Sequence, residues 1–256
     1  RNGLIYVYRG REATSADFGG VSALPEIGFR SGMTGELNTY FGRYMAVADL
    51  NQDGKDDIIA SEQDYSGDFT RNGALRVFAG RTLTDAPLTD LIWSDQADFS
   101  VYGDSNEDRL GYFVGVGDYD DDGIIDLLAS AYQGESRGGP VNAGTIHGFR
   151  GQLSAWPSTV ATATIATGQS YDRFGISFTF AGDLDRDGEN DFISYCSESD
   201  FQGINAGGAY VVSGTTTPSA EVLRMPQWQP SGDLFGYSVS MLDDINGDGY
   251  SDMIAG

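Results

Sequence analysis

Asp49-Leu50-Asn51-Gln52-Asp53-Gly54-Lys55-Asp56-Asp57 is one of four stretches of the chain that align with one another. The others are Asp118-Tyr119-Asp120-Asp121-Asp122-Gly123-Ile124-Ile125-Asp126, Asp183-Leu184-Asp185-Arg186-Asp187-Gly188-Glu189-Asn190-Asp191 and Asp244-Ile245-Asn246-Gly247-Asp248-Gly249-Tyr250-Ser251-Asp252. Their shared pattern is Asp-x-Asp/Asn-x-Asp-Gly-x-x-Asp, and their first residues are 69, 65 and 61 positions apart. Self-similarity at a long, nearly constant period marks a repeat architecture. Working outward, an aromatic residue or Leu followed by Gly stands eight or nine residues before each loop: Phe41-Gly42, Leu110-Gly111, Phe174-Gly175 and Phe235-Gly236. Beyond three of the loops an Asn-led stretch closes on Gly, at 72–80, 142–151 and 205–214, and a similar stretch, 2–10, opens the chain.

Each unit reads as short strands. Tyr44 to Ala48 alternates and runs into the acidic loop; Ile58-Ile59-Ala60 follows it; Leu75 to Phe78 makes a third strand. The spacing predicts a fourth strand at Leu91-Ile92-Trp93 in one unit and at Val222 to Met225 in another. Short β-branched and aromatic runs bounded by Gly, Asn and Asp are strand signals. No amphipathic helical pattern exceeds two turns. Four strands per unit of about 60–70 residues, repeated, predict an all-β propeller of four-stranded antiparallel blades. A plain sandwich gives no reason to repeat one loop at a fixed place. The predicted division is a single propeller segment over 1–256: a part-blade at 1–40, blades at 41–109, 110–173 and 174–234, and a part-blade at 235–256. Both chain ends read as cuts, so the expectation is an open arc with further blades or domains in a longer chain. In a closed four-bladed ring, the strand at 3–8 would instead ladder with that at 252–255.

The acidic loop has the chemistry of a calcium site. Ca²⁺ takes six to eight oxygens at about 2.3–2.6 Å, and Gly at the sixth position permits the turn that folds them inward. Positions one, three, five and nine offer side-chain oxygens, and position seven a backbone carbonyl. The candidate ligands are Asp49, Asn51, Asp53, Lys55 and Asp57; Asp118, Asp120, Asp122, Ile124 and Asp126; Asp183, Asp185, Asp187, Glu189 and Asp191; and Asp244, Asn246, Asp248, Tyr250 and Asp252. This makes about four Ca²⁺ sites. The loop starts like an EF-hand but ends on Asp at position nine, between strands and not helices. One such loop would pass for a solvated hairpin tip. Four with one spacing, each crowding like charges, call for a cation.

Composition narrows the function classes. The 256 residues carry 38 acids against 15 bases, a formal charge of −23, and Lys55 is the sole lysine. Such a surface repels phosphate backbones and anionic lipid, so neither nucleic acid nor a membrane surface is an expected partner. An apolar content of 40% and 12% aromatics support a packed core despite the charge. With one cysteine, Cys196, and one histidine, His147, no disulfide framework, Cys metal cluster or multi-His metal site is available. No apolar run approaches 18 residues.

The order Phe-Gly, acidic loop, apolar run, Gly-led strand resembles the FG-GAP repeat of integrin α-subunit propellers and of many bacterial secreted proteins. The resemblance covers nearly the whole chain. It implies a ring of about seven blades, calcium in the loops, and recognition or adhesion at a cell surface or in the extracellular space. An unknown protein or glycan ligand is the implied partner. The alternative it implies is a non-catalytic module attached to a secreted glycan-acting hydrolase or lyase. The family's Gly-Ala-Pro is replaced by Ala60-Ser61-Glu62, Ala129-Ser130-Ala131 and Ser194-Tyr195-Cys196. That departure, with no Asn-x-Ser/Thr sequon, points to a bacterial or divergent relative more than to an integrin itself.

No catalytic constellation is expected. Gly134-Glu135-Ser136-Arg137-Gly138 matches a nucleophile elbow by letter, but Gly139-Pro140 denies it the following helix. His147 lies in a third strand and reads as structural or exposed. Cys196 reads as a small core residue. Trp93, Trp156 and Trp228 read as packing between blades. The Gly- and charge-rich connections 63–71 and 133–141 read equally as binding loops or as variable ones.

Overall fold

The computed structural model describes residues 3–8, 25, 27–32, 38–81, 91–134, 142–166, 170–184, 188, 190–196, 198, 206–213, 220–222, 232, 239–242, 244–248 and 252–255. The strands are β1 (Leu4–Val7), β2 (Ile27–Arg30), β3 (Met45–Ala48), β4 (Asp57–Glu62), β5 (Ala74–Phe78), β6 (Ile92–Trp93), β7 (Phe99–Tyr102), β8 (Leu110–Gly117) and β9 (Asp126–Ala131). They continue with β10 (Thr145–Phe149), β11 (Ala163–Ile165), β12 (Phe174–Gly182), β13 (Asp191–Cys196), β14 (Gly208–Val212), β15 (Ala220–Val222), β16 (Val239–Leu242) and β17 (Asp252–Ala255). The one helical element among the described residues is a 3₁₀ turn, Ser94–Gln96. Among the described residues no helix is long and apolar enough to cross a membrane.

The strands form five sheets in chain order: β1-β2-β6, β3-β4-β5-β7, β8-β9-β10-β11, β12-β13-β14-β15 and β16-β17. The three four-stranded sheets are antiparallel throughout, as the repeat predicts. Each places the acidic loop in the turn between its first two strands.

Four apolar seams join neighbouring sheets. Ile5 and Phe29 meet Phe41, Ala60 and Phe78 between the first and second. Leu75, Val77 and Phe99 meet Leu110, Leu127 and Phe149 between the second and third. Leu128 and Ile146 meet Phe174, Phe178 and Phe192 between the third and fourth, and Ala181 and Ile193 meet Met253 between the fourth and fifth. A second strand is therefore buried on both faces, which is why it reads as a continuous apolar run and not as an alternation. Leu127 and Leu128 are both fully buried although they point into different seams. Each fully buried Leu contributes about 1.5–3 kcal/mol.

Two local devices lock one blade to the next. Leu110 and Phe174, the apolar residues that precede Gly, are buried, and their N–H groups donate to the carbonyls of Asn72 (2.9 Å) and Ala143 (2.8 Å) at the head of the preceding third strand. At Gly73 (φ +79°) a Cβ would lie 2.3 Å from the Leu110 carbonyl oxygen, so only glycine fits beneath the next blade. Within each blade, Ser61 and Ser130, at the place of Ala in Gly-Ala-Pro, accept the N–H groups of Tyr44 (3.0 Å) and Phe113 (2.8 Å) through their hydroxyls.

One expectation needs correction. Ile92–Trp93 does not close the second sheet; β7 does, pairing Leu75 with Val101 and Val77 with Phe99. β6 instead adds in parallel to β2 of the first sheet, Phe29 opposite Ile92. The Trp93 ring there lies under the Arg30 guanidinium, 4.0 Å away. In the fourth sheet the outer strand is Ala220–Val222; 223–225 lie outside the described residues. The arrangement is open, as expected: among the described residues β1 pairs with β2, β17 pairs with β16, and no ladder joins β1 to β17.

Candidate metal centre

The acidic loops fold alike because the first aspartate organises its own turn. Asp49 accepts the N–H groups of Asp53 (3.0 Å) and Gly54 (2.8 Å). Asp118 accepts those of Asp122 (3.0 Å) and Gly123 (2.8 Å), Asp183 that of Gly188 (3.0 Å), and Asp244 that of Asp248 (3.1 Å). Gly123 has φ +82°, and the fourth position is left-handed too, at Gln52 (φ +56°), Asp121 (φ +55°) and Gly247 (φ +81°). In the second loop these two reversals accompany the gathering of positions one, three and nine, Asp118, Asp120 and Asp126.

The ninth position has a second task that its spacing did not reveal. Its Oδ2 accepts the N–H of position two in all four loops: Leu50 to Asp57 (3.0 Å), Tyr119 to Asp126 (2.9 Å), Leu184 to Asp191 (2.8 Å) and Ile245 to Asp252 (2.8 Å). Its Oδ1 accepts the N–H of the glycine that closes the third strand, Gly80 to Asp57 and Gly151 to Asp126, both at 2.8 Å. The ninth aspartate thus clips the loop to the blade. A carboxylate oxygen that accepts one N–H keeps a lone pair for a cation.

The second loop gathers its acids most tightly. Asp118, Asp120 and Asp126 offer oxygens within 4.8 Å of one another. The Asp120 side chain is 1% exposed; the Arg150 guanidinium ion-pairs with one of its oxygens, and the Asp122 backbone also bears on the carboxylate. Burial, with Asp120 and Asp122 nearby, pushes Asp126 up to about 7 against two backbone hydrogen bonds that pull it down. Burial raises Asp57 and Asp120 as well. Carboxylates gathered this closely resist ionisation until positive charge is supplied. The donor set, all oxygen and gathered around a buried carboxylate, suits a hard divalent cation.

Of the remaining sequence-picked residues, Asn51 and Asp53 turn inward through hydrogen bonds to the N–H groups of Asp53 (2.9 Å) and Lys55 (2.9 Å). Asp122 does the same for Ile124 (2.8 Å), and Asn246 for Asp248 (2.8 Å). Asp185, Asp187, Glu189 and Tyr250 lie outside the described residues.

His147 lies half-buried between the second and third sheets. Its Nε2 meets the Thr145 hydroxyl (2.9 Å) and its Nδ1 the Thr164 hydroxyl (3.2 Å), and burial lowers its pKa. Both ring nitrogens thus have hydroxyl partners from the third sheet. Cys196 is fully buried in β13, and burial pushes its thiol well above the usual range. Trp156 stacks on Phe99 across the seam, centroids 5.9 Å apart. Trp228 and residues 135–140 of the elbow-like stretch are outside the described residues.

A model of the FG-GAP repeat matches residues 41–78, which run from Phe41 to the end of β5. Integrin alpha-5 of Xenopus laevis is 28% identical over 233 residues, covering 86% of this chain and 20% of that one. Integrin alpha-IIb of Homo sapiens is 34% identical over 168 residues, 60% of this chain and 15% of that one. Phosphatidylinositol-glycan-specific phospholipase D of Rattus norvegicus is 30% identical over 154 residues, 59% of this chain and 18% of that one. The chain thus spans a fifth or less of these relatives. Among solved structures, rhamnogalacturonan lyase YesW aligns over 83% of this chain and 39% of its own, with 16% identity and a TM-score of 0.43. With an FG-GAP repeat at 41–78 and integrin α similarity over most of its length, the chain is a relative of the FG-GAP, integrin-α-like propellers.

Proposed function

We propose that the chain is a calcium-binding propeller scaffold for recognition or adhesion outside the cell or at its surface. The observation that carries the calcium reading is the meeting of Asp118, Asp120 and Asp126 within 4.8 Å, with the Asp120 side chain buried. Position seven adds a carbonyl, from Lys55, Ile124, Glu189 or Tyr250. The cation neutralises the crowded acids and fixes the turn, so its role is structural. The blades divide at 40/41, 109/110, 173/174 and 234/235 and belong to a ring of about seven. The segment itself catalyses nothing; it presents loops to a protein or glycan. The integrin relatives favour an adhesion protein as the parent, and the phospholipase D relative keeps a secreted enzyme as the second reading.

Calcium binding to the native state alone stabilises it by about 2.7 kcal/mol per site at a hundredfold excess over Kd. Thermal unfolding is expected at clearly higher temperature in calcium than in chelator, and equilibrium dialysis is expected to count about four ions. Asp122→Ala should lower the count by one. Equal melting temperatures in calcium and chelator would overturn the reading. Recognition is tested by passing secreted proteins and glycans over the immobilised chain; retention that chelator abolishes is expected.

A further inference from the structure

Within the loops, one side chain reaches from one blade into the next. Asn190 stands eighth in the third loop, a position that supplies no candidate ligand. Its side-chain Nδ2 donates to the main-chain carbonyl of Asp118 (3.1 Å) and to Oδ1 of Asp121 (3.4 Å). Asp118 is the first candidate ligand of the second loop. Asp121 is that loop's left-handed fourth residue, φ +55°. Asn190 therefore grips the second loop on both sides of the buried Asp120 side chain. The eighth residues of the first two loops, Asp56 and Ile125, bring no side-chain donor. Among the described residues the bridge is confined to the pair of loops at 118–126 and 183–191.

We propose that Asn190 is a positioning residue that couples cation binding in the loop at 183–191 to cation binding in the loop at 118–126. The proposal rests on the calcium reading of both loops. Asn190 immediately precedes Asp191, the ninth-position acid of its own loop. An ion that draws Asp183 and Asp191 together fixes the backbone at 190. The Asn190 amide then holds the Asp118 carbonyl and the Asp121 turn in the arrangement that aims Asp118 and Asp120 inward. The second loop then begins with less disorder to lose, which raises its affinity. By linkage, the second loop's ion favours the third to the same degree. Couplings between sites start at about fivefold in affinity, and a bridge of two hydrogen bonds, one of them long at 3.4 Å, is expected at that lower end. The first loop has no such bridge and binds independently.

Site-resolved calcium titration of the 256-residue chain by amide NMR tests this, with Gly54, Gly123 and Gly188 reporting the first, second and third loops. Asp183→Asn disables the third loop. It should shift the Gly123 midpoint to about fivefold higher calcium and leave that of Gly54 in place. In Asn190→Ala the Gly123 midpoint should already be shifted, and adding Asp183→Asn should shift it no further. That non-additivity separates coupling from mere support, because a structural role alone would give independent effects. A Gly123 midpoint indifferent to Asp183→Asn, or equally sensitive to it with and without Asn190, would overturn the coupling while leaving calcium binding intact. No calcium response at Gly123 or Gly188 in the unaltered chain would overturn the calcium reading, and the coupling with it.

Discussion

Glu62 sits where the family's motif has proline, and its surroundings explain the exchange. The side chain is fully buried and ion-pairs with Arg76 Nε at 3.0 Å. The Ser31 hydroxyl donates to Glu62 at 2.8 Å, bringing the first sheet into the network. Arg76 in turn donates to the Tyr102 hydroxyl (2.8 Å) and packs against both the Tyr65 and Tyr102 rings, 4.6 and 5.1 Å from their centroids. Removing one partner of a buried pair leaves the other charge uncompensated, at a cost of about 3–5 kcal/mol. Arg76→Met is therefore expected to lower the urea unfolding free energy by that amount, whereas Arg71→Met, at the exposed pair with Glu107, should change it by less than about 1 kcal/mol. Asp108 gives a pH signature. Burial raises it to about 6, although it accepts N–H and O–H groups from Ser105. Its folded pKa lies above the unfolded value, so its contribution is fully present below about pH 4 and is lost as pH rises through about 6. Unfolding titrations from pH 4 to 7.5 should show the unaltered chain losing stability relative to Asp108→Asn across that window. A constant difference between the two would contradict the assignment. The Glu62 network is not legible in sequence, because Glu62, Arg76, Ser31 and Tyr102 are brought together by sheets whose spacing no local pattern encodes.

At the scale of strands and loops, more was legible. The four acidic loops, the apolar second strands and the Gly-led third strands all fall where their repeats place them, because each is dictated locally by turn chemistry or burial. The fourth strands were not so readable. Leu91-Ile92-Trp93 is as apolar as Phe99-Ser100-Val101-Tyr102, and only tertiary pairing sends the first to β2 and the second to β5. The closing glycines Gly80 and Gly151 were visible as punctuation, but their purpose, an N–H for the ninth aspartate, required the fold. The leading glycine is the sharper test of how blades dock. At Gly73 any Cβ combines a left-handed φ with a backbone oxygen 2.3 Å away. The backbone conformation alone costs about 1–3 kcal/mol, and relieving the clash moves the second blade off the third. Gly73→Ala should lower the melting temperature by well over 5 °C. The control Gly54→Ala shares the positive φ but meets nothing within 4 Å, so it should cost only the backbone term. Equal losses in the two variants would refute the docking role.

At the scale of the whole molecule, the five sheets follow one another with a seam at each junction, and the stack stays open. An open stack leaves apolar side chains where a further blade would cover them. Leu4 and Tyr6 on β1 are 51% and 43% exposed, Met45 and Val47 on β3 are 54% and 58%, and Ile254 on β17 is 57%. Among the described residues β1 and β17 also end their sheets, with no strand paired to their outer edges. Such edges template pairing with another chain. The net charge of −23 opposes association through long-range repulsion, but salt at 0.15 M shortens that repulsion to about 8 Å while leaving the apolar contacts in force. The 256-residue chain is therefore expected to self-associate at micromolar concentration, and more so as salt rises. Sedimentation velocity across a concentration series in 0.05 and 0.5 M salt would show the shift. Leu4→Lys with Val47→Lys puts charge on the uncovered strands, the remedy natural edge strands use, and should return the chain toward monomer without lowering its melting temperature. A chain that stays monomeric at high salt and is unaffected by the two lysines would mean that these surfaces are already covered, and with that the open stack would have to be given up for a closed one.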